Sequence, residues 1–106
     1  MRTWELHTDD GRPYGFEISN LTISRSGVIR TIERIPGATI TSGTRYFERR
    51  RDDFCHFTVL GASFIAEEPF GDNSRFWIYA EDESGFAHVK TVQRAFERRK
   101  LFGTVA

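Results

Sequence analysis

Over its first 81 positions this chain arranges apolar residues in short alternating runs that turn residues interrupt, a pattern that restricts the folds available to it. Trp4 and Leu6 alternate with polar residues up to the turn sequence at 9–13, and residues 14–19 alternate in the same way. A period of two residues predicts strands with one apolar face. Further strands are predicted at 28–35, 38–41, 54–60, 64–68 and 75–81, with a turn at Pro36-Gly37.

The period changes after residue 81. Val89, Val92 and Phe96 recur at helical spacing, following Asp82 and Ser84, whose side chains can cap helix amides. We therefore predict one helix over about residues 86–101. The predicted fold is an α+β single domain over residues 1–106: a strongly bent antiparallel sheet or partly open barrel of about six to eight short strands, with the C-terminal helix packed on it.

Composition and charge narrow the class of protein. Ten Phe, three Tyr and two Trp among 106 residues provide enough apolar surface for a core in one small domain. A formal net charge of zero gives no overall attraction to nucleic acid or to anionic membranes. One Cys and an N-terminal segment without a signal-peptide core predict a soluble cytoplasmic protein without a membrane partner.

Sequence motifs for common catalytic sites are missing. The chain has no P-loop, no Gly-x-Gly-x-x-Gly and no Gly-x-Ser-x-Gly. Cys55 and His56 are neighbours on a predicted strand, so their side chains point to opposite faces and cannot form a dyad; Cys55 is expected in the core. His7, His56 and His88 fall on separate predicted elements. We therefore expect no metal and no cofactor, and keep His56 as a weak candidate for a catalytic base.

The predicted strand at 75–81 gives the clearest functional indication. Its even positions are apolar, whereas its other face presents Trp77 and Tyr79 between Arg75 and Glu81. If this strand lies beside the strand at 54–60, the same face gains two further side chains. The candidate site, a ligand pocket or subunit interface, then consists of Phe54, His56, Arg75, Trp77 and Tyr79. The alternative is that the C-terminal helix covers this face as a second core layer.

A second candidate site is the aromatic and basic segment at 45–51. Guanidinium groups interleaved with aromatic rings are typical of surfaces that bind single-stranded nucleic acid. The anion-binding candidates there are Arg45, Arg49, Arg50 and Arg51, with Arg94 and Arg98 of the predicted helix as possible additions. The alternative is a solvated loop, or pairing of these arginines with carboxylates of the same molecule.

Charge is segregated along the chain. Residues 52–86 hold one basic and eight acidic residues, whereas 45–51 hold four basic and one acidic, and 87–106 hold five basic and one acidic. Such blocks can pair within one fold or between subunits. Thirteen of the fifteen basic residues are arginine, which favours bidentate pairing with carboxylates or phosphates.

These features favour a small bacterial-type binding or adaptor module. Its aromatic and arginine-lined surface is predicted to serve as a small-molecule pocket, a homo-oligomer interface, or both, with an anionic or aromatic ligand. One alternative is a nucleic-acid-binding protein that uses the arginines at 45–51. A further alternative is a small enzyme in which His56 is the base and Arg75 orients an anionic substrate.

Overall fold

An open six-stranded antiparallel sheet with both helices on one side forms the framework of the protein, as described by a computed structural model for residues 1–43, 53–69 and 74–99. The strand order is β1-β2-β6-β5-β4-β3. The strands are β1 (Trp4–His7), β2 (Pro13–Ser19), β3 (Ala38–Gly43), β4 (Asp53–Val59), β5 (Ala62–Glu67) and β6 (Arg75–Ala80). Helix α1 spans Arg25–Glu33, and a 3-10 turn at Glu83–His88 leads into α2, Val89–Glu97.

The predicted α+β class, antiparallel sheet and C-terminal helix are confirmed, and the sheet is open rather than closed. The predicted strand at 28–35 is wrong, because α1 occupies most of this segment. Ser24 caps the helix by accepting a hydrogen bond from the Gly27 amide at 3.1 Å. The buried positions Val28, Ile29 and Ile32 follow helical spacing, and the helix covers apolar sheet surface. Packing therefore overrides the weak strand preference of β-branched residues.

The core lies between the two helices and one face of the sheet. Phe16 on β2 and Phe96 on α2 are fully buried, and their ring centroids are 5.6 Å apart. Phe57 on β4 stacks on Phe64 of β5 at 5.4 Å, and Cys55 is fully buried beside them, as predicted. Alternate residues of each strand therefore supply the core, and the remaining residues face away from the helices.

Two turns fix the β3 end of the sheet. Gly37 has a φ of 84°, which confirms the predicted turn at Pro36-Gly37. Leu60 and Gly61 both have positive φ, as required in the two-residue hairpin that joins β4 to β5. The Leu60 amide donates to the Gly37 carbonyl at 3.0 Å and links the two turns.

The C-terminal helix predicted at about 86–101 is preceded by a 3-10 turn at Glu83–His88 and becomes α-helical at Val89. The Asp82 side chain accepts a hydrogen bond from the Ser84 amide at 2.9 Å, which caps the 3-10 turn ahead of α2. Neither helix in the described part of the chain has the length and apolar character needed to span a bilayer.

Candidate interaction surface

The side of the sheet opposite the helices, here called the helix-free face, presents two rows of side chains that run across the strands. The tryptophan row contains, in order from β1 to β4, Trp4, Glu17, Trp77, Glu67 and Asp53. The tyrosine row contains, in the same order, Leu6, Gly15, Tyr79, Ile65 and His56. Residues that pair directly across neighbouring strands share a face, so each row is a line of adjacent side chains.

Trp77 occupies the centre of the tryptophan row. It pairs with Glu17 on β2 and with Glu67 on β5, so a carboxylate flanks the indole on each side. The Trp77 side chain is half-buried, and its Nε1 is buried without a hydrogen-bond acceptor in the described part of the chain. An unpaired buried indole N–H is unfavourable, because it loses its hydrogen bond to water without a replacement.

Arg75 is held at the β1 side of the helix-free face. Its guanidinium lies 3.5 Å from the ring centroid of Trp4, and its Nη1 is 3.5 Å from Glu17 Oε1. Arg2 also lies over the Trp4 ring, at 4.8 Å. Arg75 is therefore already engaged by an aromatic ring and a carboxylate.

Negative charge concentrates at the β4 and β5 side of the same face. The Tyr79 hydroxyl donates a hydrogen bond to Glu67. Burial, this hydrogen bond and the negative charges of Glu67, Asp53 and Glu81 together raise the pKa of Tyr79. His56 Nε2 lies 2.6 Å from Asp53 Oδ2, and its Nδ1 lies 3.7 Å from Glu81 Oε1.

Gly15 contributes no side chain to the tyrosine row, because β2 and β6 lie too close together there to admit one. A Cβ atom at this position would lie 2.5 Å from Tyr79 Cβ and 2.6 Å from the Ile78 carbonyl oxygen. These atoms and the Tyr79 Cα at 2.8 Å are all backbone or Cβ atoms, which cannot swing away as a long side chain can. Glycine therefore permits the close approach of β2 to β6.

The structure places four of the five side chains predicted for the aromatic site on the helix-free face. Trp77, Tyr79, His56 and Arg75 lie there. Strand β5 separates β6 from β4, so the adjacency of those two strands, on which the grouping was conditional, is not found. Phe54 lies on the other side of the sheet. A bulge between Asp53 and Cys55 turns its side chain toward the helices, where its ring is 5.3 Å from that of Phe76 and 3% exposed.

Arg75 shares this face with His56 but is too far away to act with it. The two residues are two strands apart, roughly 10 Å, and about four residues apart along the strands, roughly 13 Å. The geometry thus gives no support to an enzyme in which Arg75 orients a substrate for His56. The alternative that the C-terminal helix covers this face is also wrong, because α2 packs on the opposite side.

The predicted anion-binding residues fall into two groups. Arg45, Arg49, Arg50 and Arg51 lie outside the described residues. Arg94 and Arg98 are exposed on α2 and at its C-terminal end, on the helical side of the molecule.

Sequence reasoning missed the carboxylates that flank the aromatic rings. Glu17 and Glu67 each occupy a polar position in an alternating run, which predicts their face but not their neighbours. Only strand order and register place them on either side of Trp77. Among the described residues, no three His, Cys, Asp or Glu side chains are arranged to hold a metal ion. Comparisons of the chain with protein-family models, curated proteins and solved structures found no match.

Proposed function

We propose that this protein is a binding module and that its helix-free face binds a positively charged segment of a partner protein. The observation that supports this proposal is the tryptophan row, in which aromatic rings alternate with carboxylates across adjacent strands. Aromatic side chains provide contact area, and carboxylates beside them select arginine or lysine.

The shape of the surface supports a protein partner over an enclosed small molecule. Small-molecule sites are concave and bury most of the ligand, whereas the face of an open sheet presents its side chains outward. Trp77, Tyr79 and Ile65 form a half-buried apolar centre with charged groups around it. An apolar centre with a polar rim is the usual arrangement of a protein interface.

The sign of the charge supports a basic partner. Four carboxylates, those of Glu17, Asp53, Glu67 and Glu81, lie around the rings of Trp77 and Tyr79. Among the described residues, the cationic side chains on the same surface are fewer, and Arg75 is already paired with Glu17. A second copy that presented the same face would bring like charges together, which disfavours a symmetric dimer through this surface.

Intrinsic fluorescence offers a direct test, because both tryptophans of the chain, Trp4 and Trp77, lie in the tryptophan row. We would titrate the protein with an eight-residue peptide that alternates arginine and leucine, and with the same peptide carrying glutamate for arginine. A saturable fluorescence change is expected with the arginine peptide alone. Charge pairing in the contact predicts that added salt weakens this response.

Matched variants locate the response on the surface. Glu67→Gln removes a carboxylate beside Trp77, and we expect it to weaken binding about tenfold, the size of one charge-assisted contact. Asp9→Asn removes an exposed carboxylate from the turn between β1 and β2, and we expect affinity to stay within about twofold.

Three results would overturn the proposal. The first is the absence of a response to the arginine peptide, or an equal loss in Glu67→Gln and Asp9→Asn. The second is a dimer in sedimentation measurements that Trp77→Ala dissociates, which would favour the homo-oligomer interface. The third is thermal stabilisation by a metabolite that Trp77→Ala abolishes, which would favour a small-molecule site.

A further inference from the structure

A cleft on the helical side of the molecule concentrates positive charge. It has a volume of about 370 Å³ and lies between the start of α1 and the segment that follows α2. Its polar lining comprises the hydroxyls of Thr22 and Ser24 and the guanidiniums of Arg30, Arg34 and Arg99. No acidic residue of the described ranges lines it.

Arg99 is fixed in place before any ligand arrives. Its backbone amide donates to the Phe96 carbonyl at 3.1 Å, and its Nη1 donates to Thr31 Oγ1 at 3.0 Å. Thr31 is only 7% exposed, and its hydroxyl donates in turn to the Gly27 carbonyl at 2.8 Å. This chain of hydrogen bonds holds the guanidinium across α1, so binding would not need to order that side chain.

The three guanidiniums line one cleft, and no carboxylate of the described ranges pairs with them. Arg30 and Arg34 are four residues apart on α1 and therefore occupy neighbouring positions on one helix face. None of the ion pairs formed among the described residues includes Arg30, Arg34 or Arg99. Burial, and then the charges of Arg30 and Arg34, lower the pKa of Arg99, as expected for a cation near other cations.

The start of α1, which also lines the cleft, favours an anion as well. Ser24 caps α1 and Gly27 belongs to its first turn, where the helix dipole gives a partial positive charge. Ser24 Oγ already accepts a hydrogen bond from the Gly27 amide, which leaves the Ser24 hydroxyl hydrogen free to donate.

We propose that this cleft is a binding site for a small organic phosphate that has two or more phosphate groups. Guanidinium forks match the oxygens of phosphate, and the three positive charges exceed the charge of about −2 that one phosphate group carries. The volume of about 370 Å³ lies in the range of small-molecule sites and leaves room for an organic group. The site is on the side of the sheet opposite Trp77, so it does not depend on the function proposed for the helix-free face.

Calorimetric titration of the full chain with pyrophosphate and with ADP tests this proposal. We expect both probes to bind at low salt, with affinity falling as salt is added. The double variant Arg30→Gln/Arg34→Gln should weaken binding by about 100-fold, or about tenfold for each arginine. Arg94→Gln/Arg98→Gln removes the same charge from exposed positions outside the cleft and should change the affinity less than about threefold.

Thermal unfolding without ligand separates a binding role from a structural one. Because Arg30 and Arg34 repel Arg99, their neutralisation should leave the melting temperature unchanged or raise it. The single variant Arg34→Lys keeps the charge but removes the fork, and it provides a second measurement with minimal effect on folding. A weaker affinity for pyrophosphate in Arg34→Lys is expected.

Three results would overturn the proposal of a phosphate site in this cleft. One is the absence of binding by both pyrophosphate and ADP. Another is equal weakening in the two double variants, which would indicate general charge attraction. A third is tighter binding of a short single-stranded oligonucleotide than of ADP, with the oligonucleotide binding lost in Arg94→Gln/Arg98→Gln. That result would favour the nucleic-acid alternative.

Discussion

The two faces of the sheet are built from the same strands but have different physical character. On β6, Phe76 and Ile78 point toward the helices and are 3% and 0% exposed, whereas Trp77 and Tyr79 point away and remain half-buried. The helix side consists of close-packed aromatic and aliphatic groups. The helix-free face instead mixes aromatic rings with carboxylates, and the buried indole N–H of Trp77 there has no acceptor among the described residues.

This difference separates the part of the sequence that folds the chain from the part available for binding. Burial on the helix side supplies most of the stabilising free energy, because apolar area leaves water there. Partly exposed ion pairs such as Arg75 with Glu17 contribute little to stability. A face that does little for folding yet has two tryptophans and several carboxylates suits the binding role proposed for it.

The largest expected effect on the free energy of unfolding comes from comparing a substitution on the helix side of the sheet with one on the helix-free face. Phe16→Ala removes a fully buried ring that packs on Phe96, and it should lower the free energy of unfolding by about 3–5 kcal/mol. Trp77→Ala removes a half-buried ring together with its unpaired N–H and should cost about 1–2 kcal/mol. Urea unfolding measures both values. Equal losses would mean that the helix-free face stabilises the fold as much as the core does.

A smaller effect is expected where β2 meets β6. Gly15→Ala places a Cβ against Tyr79 Cβ and the Ile78 carbonyl oxygen, and it should cost about 2–3 kcal/mol through overpacking. Gly11→Ala is the matched control: its φ of 87° strains alanine, but no atom lies within 4 Å of the new Cβ. We expect this control to cost about 1 kcal/mol. The close approach would be disproved if Gly15→Ala were the milder of the two in urea unfolding.

The sequence predicted the strands and the face of their side chains wherever alternation was strong. The opposed faces of β6, the burial of Cys55 and the position of His56 followed from a period of two residues. The same rule failed at Phe54. A bulge inserts one extra residue into β4 there, so the Phe54 side chain points to the helix side rather than to the helix-free face. A bulge depends on how two strands pair, which one strand's sequence does not encode.

Helix α1 was missed because its residues satisfy two patterns. Val28, Ile29, Ile32 and Ile35 are β-branched, which favours a strand, yet their spacing also fits one side of a helix. The need to cover the sheet selects the helix. The arginine cleft was unpredictable for the same reason, since Arg30 and Arg34 meet Arg99 only after α1 packs beside α2.

The smallest expected effect concerns the acidic end of the helix-free face and appears only at high pH. Because burial and the carboxylates around it raise the pKa of Tyr79, the folded protein keeps the phenol proton at pH values where the unfolded chain releases it. The unfolded pKa of tyrosine is about 10. The contribution of Tyr79 to stability is therefore fully present below about pH 10 and is lost as the pH rises through the higher folded value.

Tyr79→Phe removes this linkage, so the difference in unfolding free energy between the natural chain and the variant should shrink above about pH 10. Absorbance at 295 nm gives an independent measurement. Tyr79 should ionise late in the folded protein, and Tyr79→Phe should abolish that late phase. A late phase that survives in Tyr79→Phe would mean that Tyr79 is not the tyrosine that ionises late, and therefore that the carboxylates do not surround it. That result would also remove the negative charge on which the proposed basic partner depends, whereas the arginine cleft would be unaffected.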